Sequence, residues 1–311
     1  MSDDELRLFR EVQQYFNLPG VALVEKDQLV VRAIAALAAI DTKPFALVFG
    51  GGTALARAHK IVQRMSEDVD FKIVPLAAAP VSRSQVRQHL GILRDRVTAA
   101  LQSAGFPFDA ANPAHRRSRN ENRYTIYQLD YEGRAAAAEA LRPTIQIELT
   151  YATLRLPSLA RPVSSFIAEA LHQDPEVPSI PCVSLAETAA EKLIALTRRT
   201  AMDLAGLSRD PDPALVRHVY DLHIMREHID HDQVTALARD IAASDAEEFH
   251  NQYPAYAADI AGETRKALEA LRTNPIHRQR FDDFVSAMVY GERAEFSNAF
   301  ATVDKLAGQV W

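Results

Sequence analysis

Asp68 and Asp70, in the stretch SEDVDFKIV, are the residues whose type and spacing point most directly to chemistry. Residues two apart on a strand project from one face, so the two carboxylates stand together while Val69 and Phe71 turn into a core. Two carboxylates side by side are a hard oxygen donor set suited to Mg²⁺ (or Mn²⁺). A third carboxylate on a neighbouring strand would complete a two-metal site for in-line attack at a nucleotide α-phosphate. Glu148 is the candidate: it lies among the apolar residues of IQIELTY, where a carboxylate without a partner is costly. A lone Asp-x-Asp is met equally by a solvated edge strand, so the pair does not define a site by itself.

Upstream, Gly50, Gly51 and Gly52 end the apolar run KPFALVF, and Thr53 opens a helical pattern. Amides without side chains around them can approach an anion closely at the start of a helix. Thr53 either caps that helix or donates to a phosphate oxygen. A plain strand-to-helix turn would use the same residues. No GK[ST] follows the glycines, which excludes a P-loop.

A third group is the run HRRSRNENR, which gathers Arg116, Arg117, Arg119 and Arg123 before a strand. It reads as a solvated loop or as contacts to the phosphates of an RNA, with Tyr124 and Tyr127 available for stacking. The ten histidines form no spaced zinc motif.

These groups need a scaffold, and hydrophobic periodicity supplies one. DELRLFREVQQYF and VEKDQLVVRAIAALAAI read as helices, KPFALVF as a buried strand, TALARAHKIV as a helix and DVDFKIV as a strand ending at Pro75. SRSQVRQHLGILRDRVTAALQSAG is a long amphipathic helix stopped by Gly105. RYTIYQLDYE and RPTIQIELTYA are strands, joined by GRAAAAEAL closely enough to be antiparallel neighbours. From Ser184 the pattern is helix after helix, and the proline-rich DPEVPSIPC marks a boundary. The expected fold class is α/β (α+β): a mixed sheet with flanking helices over residues 1–180 and an all-helical domain over 181–311.

The order of strand, glycine turn, helix, Asp-x-Asp strand and later acidic strand resembles the nucleotidyltransferase superfamily with the DNA polymerase β-like fold. More narrowly it resembles the AbiEii/AbiGii toxin family, which includes the MenT toxins. The matching segments are Lys26-Asp27, FALVF, Gly51-Gly52-Thr53-Ala54-Leu55, the run Arg64 to Phe71 (RMSEDVDF) and the strand IQIELT. Downstream they are Glu191-Lys192-Leu193-Ile194-Ala195-Leu196 with Arg198 and Arg199, and Arg217-His218-Val219-Tyr220-Asp221-Leu222. His218 departs from the acidic residue usual at its position, and the polar loop SRDPDP lengthens the spacer before it.

The resemblance implies metal ligation by Asp68, Asp70 and Glu148, and phosphate contacts from Gly51, Gly52 and Thr53, with Ser66 at the mouth of the site. It implies that Lys192 meets the triphosphate and that Asp221 belongs to the site. Arg116, Arg117 and Arg119 remain the candidates for RNA. The implied activity is Mg²⁺-dependent transfer of NMP from an NTP to an RNA acceptor, the tRNA 3′ end, blocking translation. The chain would be the toxin half of a type IV-like toxin–antitoxin pair, with a cognate antitoxin as partner. Two alternatives stand beside it: transfer to a protein or small molecule, and a nucleotide-binding interaction module without catalysis.

Composition agrees with such a protein and excludes other classes. The 311 residues are 48% hydrophobic and 24% charged, an ordinary globular balance. No apolar run approaches the roughly 20 residues that span a bilayer. The acidic, amphipathic N-terminus is unlike a signal peptide. One cysteine, Cys182, excludes an internal disulfide and suits the cytoplasm; beside Pro181 it reads as packing. The net charge of −6 leaves nucleic-acid binding to local basic patches.

Overall fold

The structure, a computed structural model, describes residues 3–76, 82–131, 133, 141–208 and 211–311. The alanine run at 135–138, most of GRAAAAEAL and part of the SRDPDP loop lie outside the described residues. The chain divides into two compact units, Met1–Val183 and Ser184–Trp311.

In the first unit, α1 (Asp3–Tyr15) and α2 (Val21–Ala38) precede β1 (Phe45–Gly50), α3 (Gly51–Arg57) and β2 (Asp68–Pro75). Then come α4 (Arg83–Ser103), β3 (Arg116–Arg119), β4 (Tyr124–Asp130), β5 (Thr144–Tyr151), β6 (Leu159–Val163), α5 (Phe166–Ala170) and β7 (Val177–Cys182). The strands form one mixed sheet in the order β3-β4-β5-β2-β1-β7-β6. β1 and β2 are antiparallel, β2 and β5 parallel, and β4 and β5 antiparallel as their spacing predicts. Alternate residues of the strands, among them Phe49, Phe71, Tyr127, Ile147 and Leu149, share one apolar core with Ile34 and Leu37 of α2 and Leu93 and Val97 of α4. A capping box between Ser82 and Gln85 starts α4. The opposite sheet face keeps Asp68, Asp70, Lys72, Gln146 and Glu148, all only half-buried.

Three segments differ from the expectation. The helix after the glycines starts at Gly51 and stops at Arg57, short of TALARAHKIV, because Lys60 turns into the left-handed region at φ 57°. The arginine run contains strand β3 in place of a loop. Its hairpin to β4 turns through Asn120, Glu121 and Asn122, all at positive φ, a conformation asparagine tolerates better than most residues. Finally, the proline-rich boundary segment is itself strand β7, parallel to β1 at Phe49↔Cys182. β7 lies between β1 and the edge strand β6, whose ladder shifts register around Pro162; prolines are tolerated at such margins. Cys182 is fully buried in the core, and burial pushes its thiol up to about 12, in keeping with a packing role.

The second unit is all-helical: α6 (Leu185–Leu204), a 3-10 turn (Pro213–Val216), α7 (Arg217–Met225), α8 (His231–Glu248), α9 (Pro254–Ala258), α10 (Ile260–Thr273), α11 (Pro275–Met288) and α12 (Phe296–Val310). α6 is its centre, packing on α7, α8 and α10. Side-chain caps at Ser184, Asp230 and Asn274 begin α6, α8 and α11, satisfying amides that a helix start leaves bare. No described helix is long and apolar enough to cross a membrane.

Candidate functional site

Register assembles the acidic centre. Gly50 on β1 pairs with Asp70 on β2, and Asp70 pairs with Glu148 on β5. Asp68 pairs with Gln146, so Asp68, Asp70, Gln146 and Glu148 share the face away from the core. The chain turns at the end of β1 through Gly51 at φ 69°. A Cβ at Gly51 would lie 1.9 Å from Asp70 Oδ2, and one at Gly52 would lie 2.4 Å from Arg64 Nη2 and 3.0 Å from Ser66 Oγ. Only glycine allows this turn to lie so close to the aspartate. The Thr53 hydroxyl donates to the Asp68 backbone carbonyl, which ties the helix start to β2. Any phosphate contact from Thr53 would therefore come from its amide. Ser66 and Arg64 are buried beside Gly52, and Arg64 also donates to the Met65 carbonyl at 2.9 Å.

The Lys26-Asp27 pair braces this arrangement from α2. Lys26 Nζ donates to the carbonyls of Arg142 (2.7 Å) and Thr144 (2.6 Å) and pairs with Glu67 at 3.2 Å. It thereby fixes the start of β5 against the start of β2. Burial lowers the Lys26 pKa, and Glu67 opposes that shift. Asp27 pairs with Arg57 of α3 at 2.8 Å and accepts the Phe166 amide at 2.7 Å. Arg57 lies over the Phe166 ring at 3.6 Å, a favourable cation–π position. Burial raises the Asp27 pKa to about 6 against the pull of Arg57. Both residues thus act as struts of the strand ends and of α3.

Each acidic side chain has neighbours. Asp68 Oδ1 is paired with the Arg142 guanidinium. Glu148 accepts from Gln146 Nε2 at 2.6 Å and is hydrogen-bonded with Tyr124, whose hydroxyl is pushed up to about 12 by burial and by that carboxylate. Among the described residues, no three His, Cys, Asp or Glu side chains are gathered into a ready-made metal cage. Mg²⁺ seldom needs one: it is commonly held by one or two carboxylates, with substrate phosphates and water completing its shell. The Asp68/Asp70 pair beside a side-chain-free glycine turn fits that mode in donor type and in space.

Strand register separates the three arginines. Arg117 and Arg119 pair with Ile126 and Tyr124, and Ile126 pairs with Glu148, so both arginines share the acidic face and are exposed. Arg116 points to the other side, where it donates to Thr98 Oγ1 of α4 at 3.1 Å and lies 3.8 Å from Asp95.

In the helical unit, Lys192 of α6 pairs with Asp221 of α7 at 2.9 Å; their side chains are 8% and 0% exposed. Lys192 Nζ also lies 3.4 Å from His218 Nδ1. Burial, reinforced by the Lys192 charge, lowers the His218 pKa well below its usual value. A neutral imidazole can accept from the lysine, so His218 fills the place of an acidic residue as a hydrogen-bond acceptor.

Sequence reasoning missed Arg142, Glu67 and Arg57. Glu67 adjoins the Asp-x-Asp pair and Arg57 lies on the predicted helix, but nothing in their spacing reveals their partners. Arg142 stands 74 residues from Asp68 and carries no motif.

A family model described as "Nucleotidyl transferase AbiEii toxin, Type IV TA system" matches residues 32–303. Among solved structures, the chain is similar to MenT4, nucleotidyltransferase toxin Rv2826c from Mycobacterium tuberculosis H37Rv, at 17% identity and a TM-score of 0.54. That likeness covers 97% of this chain and 89% of the other, and at this identity it speaks for the fold. Among curated proteins, none matches the chain.

Proposed function

The chain belongs to the AbiEii family of nucleotidyltransferase toxins of type IV toxin–antitoxin systems, and on that premise we propose Mg²⁺-dependent transfer of a nucleoside monophosphate from an NTP to an RNA 3′ hydroxyl. The tRNA 3′ end is the acceptor in this reading, a block of translation in the cytoplasm is the consequence, and a cognate antitoxin is the partner. The observation that carries it is the register setting Gly50, Asp70 and Glu148 abreast on β1, β2 and β5.

In this reading Asp68 and Asp70 hold the divalent cation. When bound, Mg²⁺ supplies charge neutralisation to the triphosphate and Lewis acidity at the α-phosphate. The amides of Gly51, Gly52 and Thr53 receive phosphate oxygens, with Ser66 beside them. Glu148, ordered by Gln146 and Tyr124, accepts the proton of the acceptor hydroxyl. The hydroxyl oxygen then bonds to the α-phosphorus as the bond to pyrophosphate breaks. Lys192, held by Asp221 and His218, offsets the triphosphate charge. Such chemistry depends on positioning and charge more than on covalent participation by the protein. An RNA acceptor is supported by Arg117 and Arg119, exposed on the acidic face at its margin.

The test is incubation of the protein with each α-labelled NTP, Mg²⁺ and total cellular RNA. Label at the 3′ ends of tRNA-sized species is expected. Label on protein alone, or on a small molecule, would overturn the RNA acceptor.

A further inference from the structure

Arg142 is held in an unusual way. Its backbone amide donates to Glu67 Oε2 at 2.7 Å, and its carbonyl accepts from Lys26 Nζ at 2.7 Å. Glu67 and Lys26 have side chains 5% and 0% exposed, so the main chain at Arg142 is clamped from both sides. The Arg142 side chain is 42% exposed, and its guanidinium spans two carboxylates. It pairs with Asp68 Oδ1, and its Nε lies 3.8 Å from Glu67 Oε1. A fixed root with a half-solvated tip between two acceptors has two places to rest.

We propose that Arg142 is a resident counter-ion of Asp68 that gives up this carboxylate to the incoming divalent cation and withdraws onto Glu67. The inference rests on the reading of Asp68 as a metal ligand. Without the cation, the guanidinium offsets the mutual repulsion of Glu67, Asp68 and Asp70, three carboxylates within four residues. Cation loading is then an exchange, and loading in the absence of nucleotide is correspondingly weak. A pair this exposed is a weak one, so a divalent ion can displace it.

The test is Mn²⁺ titration followed by the EPR signal of the free ion, on the full chain without nucleotide, with circular dichroism confirming each fold. Arg142→Gln should bind Mn²⁺ roughly two- to fivefold more tightly than the wild type, the range set by a half-exposed ion pair. Arg142→Lys keeps the charge but loses the planar fork that spans two carboxylates, and should bind more tightly by a smaller factor. Affinity unchanged in both variants overturns the proposal. Tightening in the glutamine variant alone assigns the effect to net charge and also overturns it. Asp68→Asn separates the two levels: if it abolishes binding while the Arg142 variants match the wild type, the exchange fails and the metal reading stands. If Asp68→Asn binds Mn²⁺ as the wild type does, the metal reading itself fails.

Discussion

Substituting Gly51 by alanine should disable the proposed site while leaving the protein folded. At φ 69° an alanine is disfavoured by about 1–2 kcal/mol, a modest loss for a domain. The local steric effect is larger. The new methyl would lie 1.9 Å from Asp70 Oδ2, 2.7 Å from Cγ and 3.0 Å from Cβ, where ordinary contact starts at 3.4 Å. Rotating the carboxylate alone leaves the Cβ contact in place, so Asp70 must leave its rotamer or β1 and β2 must part. Relief of the closest contact requires a shift of about 1.5 Å, and misplacement by about 1 Å commonly costs about 100-fold in rate. Incorporation of α-labelled NMP should therefore fall by about 100-fold or more. Circular dichroism should be unchanged, and the melting temperature should drop as a loss of about 2–5 kcal/mol requires, the backbone cost plus about 1–3 kcal/mol for the overpacked contact. Gly52→Ala is the comparator, because Gly52 is not at positive φ and its methyl meets Arg64 and Ser66, leaving Asp70 untouched, and its loss of incorporation should be smaller. A folded Gly51→Ala protein with wild-type incorporation would refute the link between this turn and Asp70.

Asp27 should impose a pH dependence on stability. Its folded pKa of about 6 lies above the ordinary 3.8, so the folded state binds the extra proton and this group's contribution to stability falls as pH rises from about 4 to about 6, by on the order of 2–3 kcal/mol; denaturant unfolding of Asp27→Asn should lack that fall. His218 has the opposite sign, its pKa lying below the usual 6.5, so its contribution is lost as pH falls below 6.5, and His218→Gln should blunt the acid-side decline. Asp221→Asn leaves Lys192 buried without its carboxylate and should destabilise the helical unit by about 3–5 kcal/mol, whereas Lys192→Met with Asp221→Leu should recover that stability without recovering nucleotidyl transfer. Arg117→Ala with Arg119→Ala should weaken RNA binding and lower the magnitude of the log K against log salt slope by about 1.4, for two single-strand phosphate contacts; Arg116→Ala should leave that slope alone and lower thermal stability instead.

What could be read along the chain was what depends on local spacing. The i, i+2 aspartates, the glycines closing an apolar run and the alternation of IQIELTY each follow from the geometry of a single element. That Asp70 and Glu148 are immediate neighbours follows from β5 inserting beside β2, a pairing between strands far apart in the chain. Arg142 was invisible because its role comes from the clamp by Lys26 and Glu67, which no spacing encodes. The arginine run concealed a strand, because β3 is polar on both faces and its apolar neighbour lies on β4. Read as a strand, its alternation would already have separated Arg116 from Arg117 and Arg119. Strand β7 escaped because Pro178 and Pro181 argue against a strand unless its place near the sheet margin is known.

Metal ligation by β2 in the service of nucleotidyl transfer can be seen by anomalous diffraction from crystals grown with Mn²⁺ and a non-hydrolysable NTP. The prediction is an Mn²⁺ peak bound by Asp68 and Asp70, with the triphosphate against the Gly51–Thr53 turn. An ordered nucleotide whose metal lies away from both aspartates would show that β2 does not hold the metal.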